Sequence, residues 1–506
     1  MKSKRRWDSA AAASSSSLNP SLSLLPSVGG DVDRLTELPD VLRLYILSLL
    51  PIKSAIRTSV LSSRWRNMWR LRWPQPSLLD ISAPSSISQS EFVTAVDDFL
   101  RRRGCARLDY LQVVFSPSSR HMTDLKRWLD YAASCSVSDL NLDLSPVPPS
   151  ADTSGVSRRR RSRAASVAAP ALDFNCESSS LTRLNLRGFH LTSLPPSFKK
   201  LAHSLEILSL CEIYLSYASL RRILSNCPFL RSLTIRRCPD LKKVIVPSSA
   251  LRLTRLTVVD CRKASEISVS SLGLLSFRFS GALLKNYHIE SGAALEDMYI
   301  SSGGAVPAMP RGDWVKPFGE LANLKILTLC SLALEYIAAL SSRADSGFRW
   351  LPKLVELQLL MLMMAQSNLS DIYSFFKYCP CPRLEKLFIE LPVSACDPSM
   401  EMYLEVPMED PPGIGFDNLR ILKLNGFKGH RNEVQLAGDL LKKSCILEHL
   451  VAVIPMGNAG ENFESTANMQ KYLSMQLHLL PKASSKAHII VTECDDLQFR
   501  PTHSQV

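Results

Sequence analysis

From Leu108 onward the apolar positions return in one six-residue pattern, apolar-x-x-apolar-x-apolar. It reads L-D-Y-L-Q-V at Leu108, V-S-D-L-N-L at Val137, L-T-R-L-N-L at Leu181, L-E-I-L-S-L at Leu205 and L-R-S-L-T-I at Leu230. It continues with L-T-R-L-T-V at Leu253, L-G-L-L-S-F at Leu272, L-E-D-M-Y-I at Leu295 and L-K-I-L-T-L at Leu324. L-V-E-L-Q-L at Leu354, L-E-K-L-F-I at Leu384 and L-R-I-L-K-L at Leu419 follow, with a degenerate copy at Leu447. The last two apolar residues of each copy are two positions apart, so they share one face of a short strand while their neighbours point the other way. Starts lie mostly 19 to 35 residues apart, which leaves room for a strand and a variable return in each unit. Stacking such strands buries an apolar column and leaves a second face free to bind.

Upstream the period changes. Pro39 opens a helical run, its missing N–H costing nothing at a first helical position. Leu42, Ile46, Leu49 and Leu50 give that run one apolar face, and Pro51 ends it. Ile52, Ala55, Ile56 and Val60 recur at the same spacing in a second run. Ser62 or Ser63 can cap a third, carrying Trp65, Met68 and Trp69. A segment of about 40 residues buries too little surface to be comfortably stable alone. Its leftover apolar surface is expected to meet a partner.

Over Leu38 to Trp69 the string L-P-D, then I-L-S-L-L-P, then T-S-V-L-S-S-R-W and a following Trp resembles, without a gap, the F-box of plant proteins. Val41 and Ser54 depart from it, standing where members often carry acidic residues. The resemblance implies docking to a Skp-family adaptor and, through it, to a cullin–RING ubiquitin ligase. Carried over by position, the contacts would come from Leu38, Pro39, Ile46, Leu49, Leu50, Pro51, Val60, Leu61 and Trp65. For several of these, Ile46 and Trp65 above all, packing within the unit is an open alternative. Independently of family, residues 34–76 hold eight Arg or Lys against two acids, a net of +6, which steers toward an acidic partner.

The repeated pattern is similar to leucine-rich repeats. L-T-I-R-R-C ending at Cys238 and L-T-V-V-D-C ending at Cys261 reach the Cys/Asn position of that family's pattern, where a thiol packs or hydrogen-bonds in a turn. Farther on, F-D-N-L-R-I-L-K-L-N-G-F-K-G-H-R-N-E from Phe416, followed by L-L-K-K-S-C-I-L-E-H-L-V from Leu440, resembles the FBD module that closes many plant F-box/leucine-rich-repeat proteins. The expected fold is therefore α/β: an N-terminal three-helix F-box followed by an irregular leucine-rich-repeat solenoid, a curved parallel sheet with helices and loops on the convex side. The expected divisions are a disordered, Ser/Ala-rich stretch over 1–33, the F-box over 34–76, and a linker with one helix over 77–107. Repeats would fill 108–381, interrupted by a disordered basic insertion over 144–176. FBD-like repeats over 382–460 and a cap and polar tail over 461–506 would complete the chain.

The charge of +13 over 506 residues raises nucleic acid as a partner. Its distribution argues against that, because the first 163 residues hold 24 basic and 15 acidic side chains, +9 of the total. The long remainder is nearly balanced and presents no dominant field to a phosphate backbone. R-R-R-R-S-R, with Arg158, Arg159, Arg160, Arg161 and Arg163, reads either as a solvated loop or as a nuclear-import signal, with Lys2 to Arg6 as a second basic cluster. Residence in the nucleus, the cytoplasm or both is expected, with a plastid transit peptide as a weaker alternative at the acid-poor N-terminus. Thirteen cysteines without a C-x-x-C fit a reduced compartment, not a disulfide framework or a zinc site. The most apolar run, Leu359 to Ala365, falls far short of the ~20 residues that span a bilayer.

The nine histidines, among them His121, His190, His203 and His430, form no H-E-x-x-H, and the chain has neither a nucleophile elbow nor a phosphate-cradling glycine loop. No catalytic residue, metal ligand or cofactor is expected. The expected role is the substrate-recognition subunit of an SCF-type ubiquitin ligase, with an unidentified target protein on the repeats and no nucleic acid or membrane partner. The alternatives are a co-receptor for a hormone or other small molecule, and a nuclear interaction scaffold without ubiquitylation.

Overall fold

The structure, a computed structural model, describes residues 35, 37–50, 52–66, 68–71, 77–82, 88–105, 107–115, 121–145, 180–191, 202–281, 286–290, 294–302, 321–341, 351–392, 415–455, 463–493 and 499–504. The expected disordered start, Pro51 and the arginine cluster from Arg158 to Arg163 lie outside the described residues. The chain divides into two units, Met1–Leu71 and Arg72–Val506.

In the first unit Pro39 caps the Asp40–Leu49 helix, its carbonyl accepting the Arg43 N–H at 3.1 Å. The second helix is shorter than its apolar spacing predicts. It runs Ile52–Arg57, and a 3₁₀ turn takes Thr58–Val60 as the Thr58 hydroxyl bonds back to the Ala55 carbonyl at 2.7 Å. A third helix spans Met68–Leu71. Leu47, Ala55, Trp65 and Met68 form the core, with Leu44, Ile46, Leu50 and Trp69 packed around them.

Among the described residues the second unit is built on a sheet of fifteen strands, every one parallel to its neighbours. Every repeated hexamer except that at Leu272 places its strand two residues after its first apolar residue, as in Tyr110–Val114 after Leu108, Ser232–Arg236 after Leu230 and Ile421–Asn425 after Leu419. The second and fourth residues of each strand face inward, as in Leu208 with Leu210, Leu233 with Ile235, and Leu422 with Leu424, all essentially without exposure. Registered side by side, they form one continuous core with the inner faces of the helices. Return length decides what covers that core. Where copies lie near 30 residues apart a helix fits, as in Ser331–Ser341 and Gln366–Tyr378. In the shorter repeats the return shrinks to the strands Lys243–Val246, Glu266–Val269 and Asn286–Ile289, which make a parallel sheet of their own.

Three expectations change here. The copy assigned to Leu272 is framed two residues too early: Leu272 and Leu275 are exposed, whereas Leu274, Phe277 and Phe279 are buried and continue the column. Two inward phenylalanines fit the pattern as well as two leucines do. The Ser-rich linker contains a strand, Leu78–Ser82, which pairs with Tyr110–Val114 and buries Leu79 and Ile81. The expected polar tail likewise contributes a strand, His488–Thr492, at the other end of the sheet, and Phe499 and His503 beyond it are buried.

The chain leaves several strands by the same device, a residue of positive φ directly after the strand: Gly188, Glu212, Arg237, Asp260 and Gly426. At Gly188 a Cβ would meet the Ser145 backbone nitrogen at 2.7 Å, so glycine is required for space as well as conformation. Cys238 and Cys261 follow this turn as buried thiols that bond the Arg236 and Val259 carbonyls at 3.5 Å. In the G-F-K-G-H-R-N-E stretch, buried Glu433 accepts the Lys428 and His430 N–H groups at 2.9 and 3.3 Å, and Asn432 donates to the Met364 carbonyl at 3.0 Å. This motif ties the Arg431–Lys443 helix to the copy that starts at Leu354, two repeats earlier.

Leu233→Ala, at a fully buried position between Leu208 and Leu256, is expected to cost about 2–5 kcal/mol of unfolding free energy. Thr234→Ala, on the opposite face, is expected to change it by less than about 0.5 kcal/mol. Urea unfolding followed by circular dichroism measures both, and equal effects would contradict the assignment of faces.

Candidate interaction surfaces

The core of the first unit uses only part of its apolar residues. On the Asp40–Leu49 helix, the side buried with Trp65 is Arg43 and Leu47, whereas Leu42, Tyr45 and Leu49 form a stripe in solvent beside Val41. Ile56, Val60 at 87% exposure and Leu61 extend the exposed apolar set beyond that helix. Of the residues expected to contact an adaptor, Pro39, Leu49, Val60 and Leu61 are exposed, and Leu38, Ile46 and Leu50 are half-buried. Trp65 is 2% exposed, so it holds the helices together and is not part of the open surface. Sequence reading missed Val41 and Tyr45, which lie outside the 42, 46, 49, 50 stripe. Arg43 pairs with Asp40 and donates to the Arg64 carbonyl at 3.4 Å, so a buried arginine takes a place that periodicity would give to an apolar residue. Arg57, Arg64 and Arg66 are exposed on the same unit.

On the sheet, the central outward residue of each strand lines up by register. The row runs Asp80, Gln112, Asn141, Asn185, Ser209, Thr234, Thr257 and Arg278. It continues through Tyr299, Thr328, Gln358, Phe388, Lys423 and Val451 to Ile490. The first eight are open or half-open and polar, with Asn141 donating to Gln112 at 2.9 Å and Gln112 to Asp80 at 3.3 Å. Beside them Arg187 bridges Asp143 at 3.2 Å and Glu212 at 3.1 Å, and Arg237 reaches Glu212 at 2.8 Å. The hydrogen bond to Glu212 raises the Arg187 pKa above its ordinary value.

From Tyr299 to Val451 the same row is buried. Residues of the tail lie against Tyr299, Thr328, Lys423 and Val451 of this row. The Lys423 ammonium donates to the Phe499 carbonyl at 2.9 Å, and the Thr502 N–H donates to the Glu356 carboxylate at 2.6 Å. His503 Nε2 bonds the Asp297 carboxylate at 2.6 Å and its Nδ1 bonds the Thr328 hydroxyl at 2.7 Å. Arg278 also reaches Asp297 at 2.8 Å. Burial alone would raise the Asp297 pKa, but the bonds from His503 and Arg278 outweigh it and hold the carboxyl below its ordinary value. Nothing in the sequence marked His503 or its partners, because residues between leucines look alike whether they face solvent or a distant segment. Among the described residues no group of three His, Cys, Asp or Glu is placed to hold a metal ion, and no helix is long and apolar enough to cross a membrane.

Residues 104–494 match the family model described as the At1g61320/AtMIF1 LRR domain, and residues 35–74 match the F-box domain. The chain is similar to the putative F-box/FBD/LRR-repeat protein At5g44950 of Arabidopsis thaliana, 25% identical over 486 residues, 91% of this chain and 99% of that one. It is similar to F-box/LRR-repeat protein 25 of the same plant, 32% identical over 46% of this chain and 78% of that one. A third Arabidopsis relative, the putative F-box/LRR-repeat protein At5g02930, is 32% identical over 46% of this chain, and the match spans 43% of its length. Among solved structures, the LRR protein LIC12759 of Leptospira interrogans is similar, with a TM-score of 0.31 and 16% identity over 73% of this chain and 89% of that one.

A carboxyl whose pKa is lower in the folded than in the unfolded state stabilises the fold above its unfolded value, 3.8 for Asp297, and loses that contribution as pH falls through the lower folded value. Asp297→Asn is therefore expected to lower the urea midpoint at about pH 6, with the gap from wild type shrinking below about pH 4. A gap that stayed constant over that range would contradict the assigned ion pairs.

Proposed function

Because the chain belongs to the plant F-box/FBD/leucine-rich-repeat family, we propose that it is the target-recognition subunit of an SCF-type cullin–RING ubiquitin ligase. F-box/leucine-rich-repeat proteins are generally non-catalytic, so in this reading the ubiquitin chemistry belongs to other subunits. The observation that carries the proposal is the apolar stripe of Leu42, Tyr45 and Leu49, with Val60 and Leu61, which the small core leaves in water. Covering such a surface is favourable by roughly 25 cal/mol per Å² of apolar area. A Skp-family adaptor is the proposed cover, and the exposed arginines favour an acidic face on it. The repeats would hold a target protein at high effective concentration near the conjugating enzyme. Nuclear residence through the arginine cluster is part of the proposal and is open to a separate test by localisation.

A purified Skp-family adaptor should be retained by the wild-type chain and at least tenfold less by Leu49→Asp, Val60→Asp. Both positions are exposed, so the double variant should keep the wild-type circular dichroism spectrum. Equal retention by both chains, or none by wild type, would overturn the docking half of the proposal.

A further inference from the structure

The outward row of the sheet is half-open over its first eight strands and buried over the next six, although the strands keep the same register throughout. A buried charge is costly unless it is paired, yet Glu356 and Lys423 stand in the covered part at 5% and 3% exposure. Both pair with main-chain groups of the tail, the Thr502 N–H and the Phe499 carbonyl. Main-chain groups are common to any peptide, so these two contacts could hold another segment in the same conformation.

Two side chains anchor the tail at its ends. Phe499 packs with Val451, Val453 and Ile421, its ring 5.2 Å from that of His449. His503, its side chain without exposure, bonds Asp297 and Thr328 and stands edge-on to Tyr299 at 5.5 Å. Pro501 lies between them and opens a turn closed by the Ser504 N–H at 3.2 Å from the Pro501 carbonyl. Backbone bonds for affinity with spaced side-chain pockets for selectivity is how proteins read linear peptides.

We infer that the face from Asp297 to Val453 is a cleft for a target peptide bearing an aromatic residue, a proline two positions on and a histidine two positions further, which the chain's own Phe499–Ser504 occupies as a tethered competitor. A tethered segment competes at an effective concentration that a free peptide must exceed. Removing the anchors should therefore reveal the cleft. The inference deepens the target-recognition reading. Its test uses the chain without adaptor, so failure here and failure of adaptor docking are told apart.

A fluorescent peptide of sequence F-R-P-T-H-S-Q-V, which is residues 499–506, is titrated by anisotropy against three chains. These are full-length wild type, full-length Phe499→Ala, His503→Ala, and a chain truncated after Gln498. Saturable binding is expected to the double variant and the truncated chain, at least tenfold weaker binding to wild type, and none of a peptide with both anchors changed to Ala. The double variant does not depend on the truncated chain folding. No binding to it, binding equal to that of wild type, or equal binding of the anchorless peptide would overturn the inference.

Discussion

No strand of this sheet can hide its own inward pair. Leu233 and Ile235 are buried because Leu208 and Leu210 lie on one side and Leu256 and Val258 on the other, and each neighbour depends on the next in the same way. That mutual dependence fixes register, since a slip of one residue would turn the buried pair outward. With register fixed, the outward residues fall into rows, and side chains far apart in sequence share one face. The proposed recognition surface is thus a by-product of the core. The same logic requires ends, which the strands Leu78–Ser82 and His488–Thr492 supply at the two edges of the sheet.

What the sequence made legible follows from this dependence. Copies such as Leu205, Leu324 and Leu384 could be framed from their spacing alone, because inward positions accept little besides large apolar side chains. The frame failed at Leu272, where L-G-L-L-S-F-R-F offers two overlapping solutions and only stacking against the neighbouring strands chooses Leu274. It also failed at the two ends, where L-L-D-I-S lacks the preceding leucine and A-H-I-I-V-T lacks the leucine pair. The outward face was legible only as a surface. Which part of it is covered depends on where the tail lands, and no local pattern carries that information.

The small helical unit obeys the opposite rule. Its core, four residues among those described, cannot grow by stacking, and Arg43 occupies a buried place beside it. Sequence periodicity found the helices and one apolar face with Leu42, Ile46, Leu49 and Leu50, of which Leu42 and Leu49 lie in the open stripe beside Val41 and Tyr45. For Trp65, where adaptor contact and packing within the unit were both open from the sequence, the side chain packs inside. The two units therefore present different kinds of surface, one apolar and compact, the other polar, long and partly filled by the chain itself.

The open apolar stripe of the helical unit is the proposed place where a second protein binds. Amide hydrogen exchange of the full chain, with and without a purified Skp-family adaptor, tests it directly. The account predicts slowed exchange across Val41 to Leu61, with the strands from Leu78 to Thr492 unchanged. Unchanged exchange over Val41 to Leu61 at saturating adaptor, or protection confined to the sheet, would contradict it.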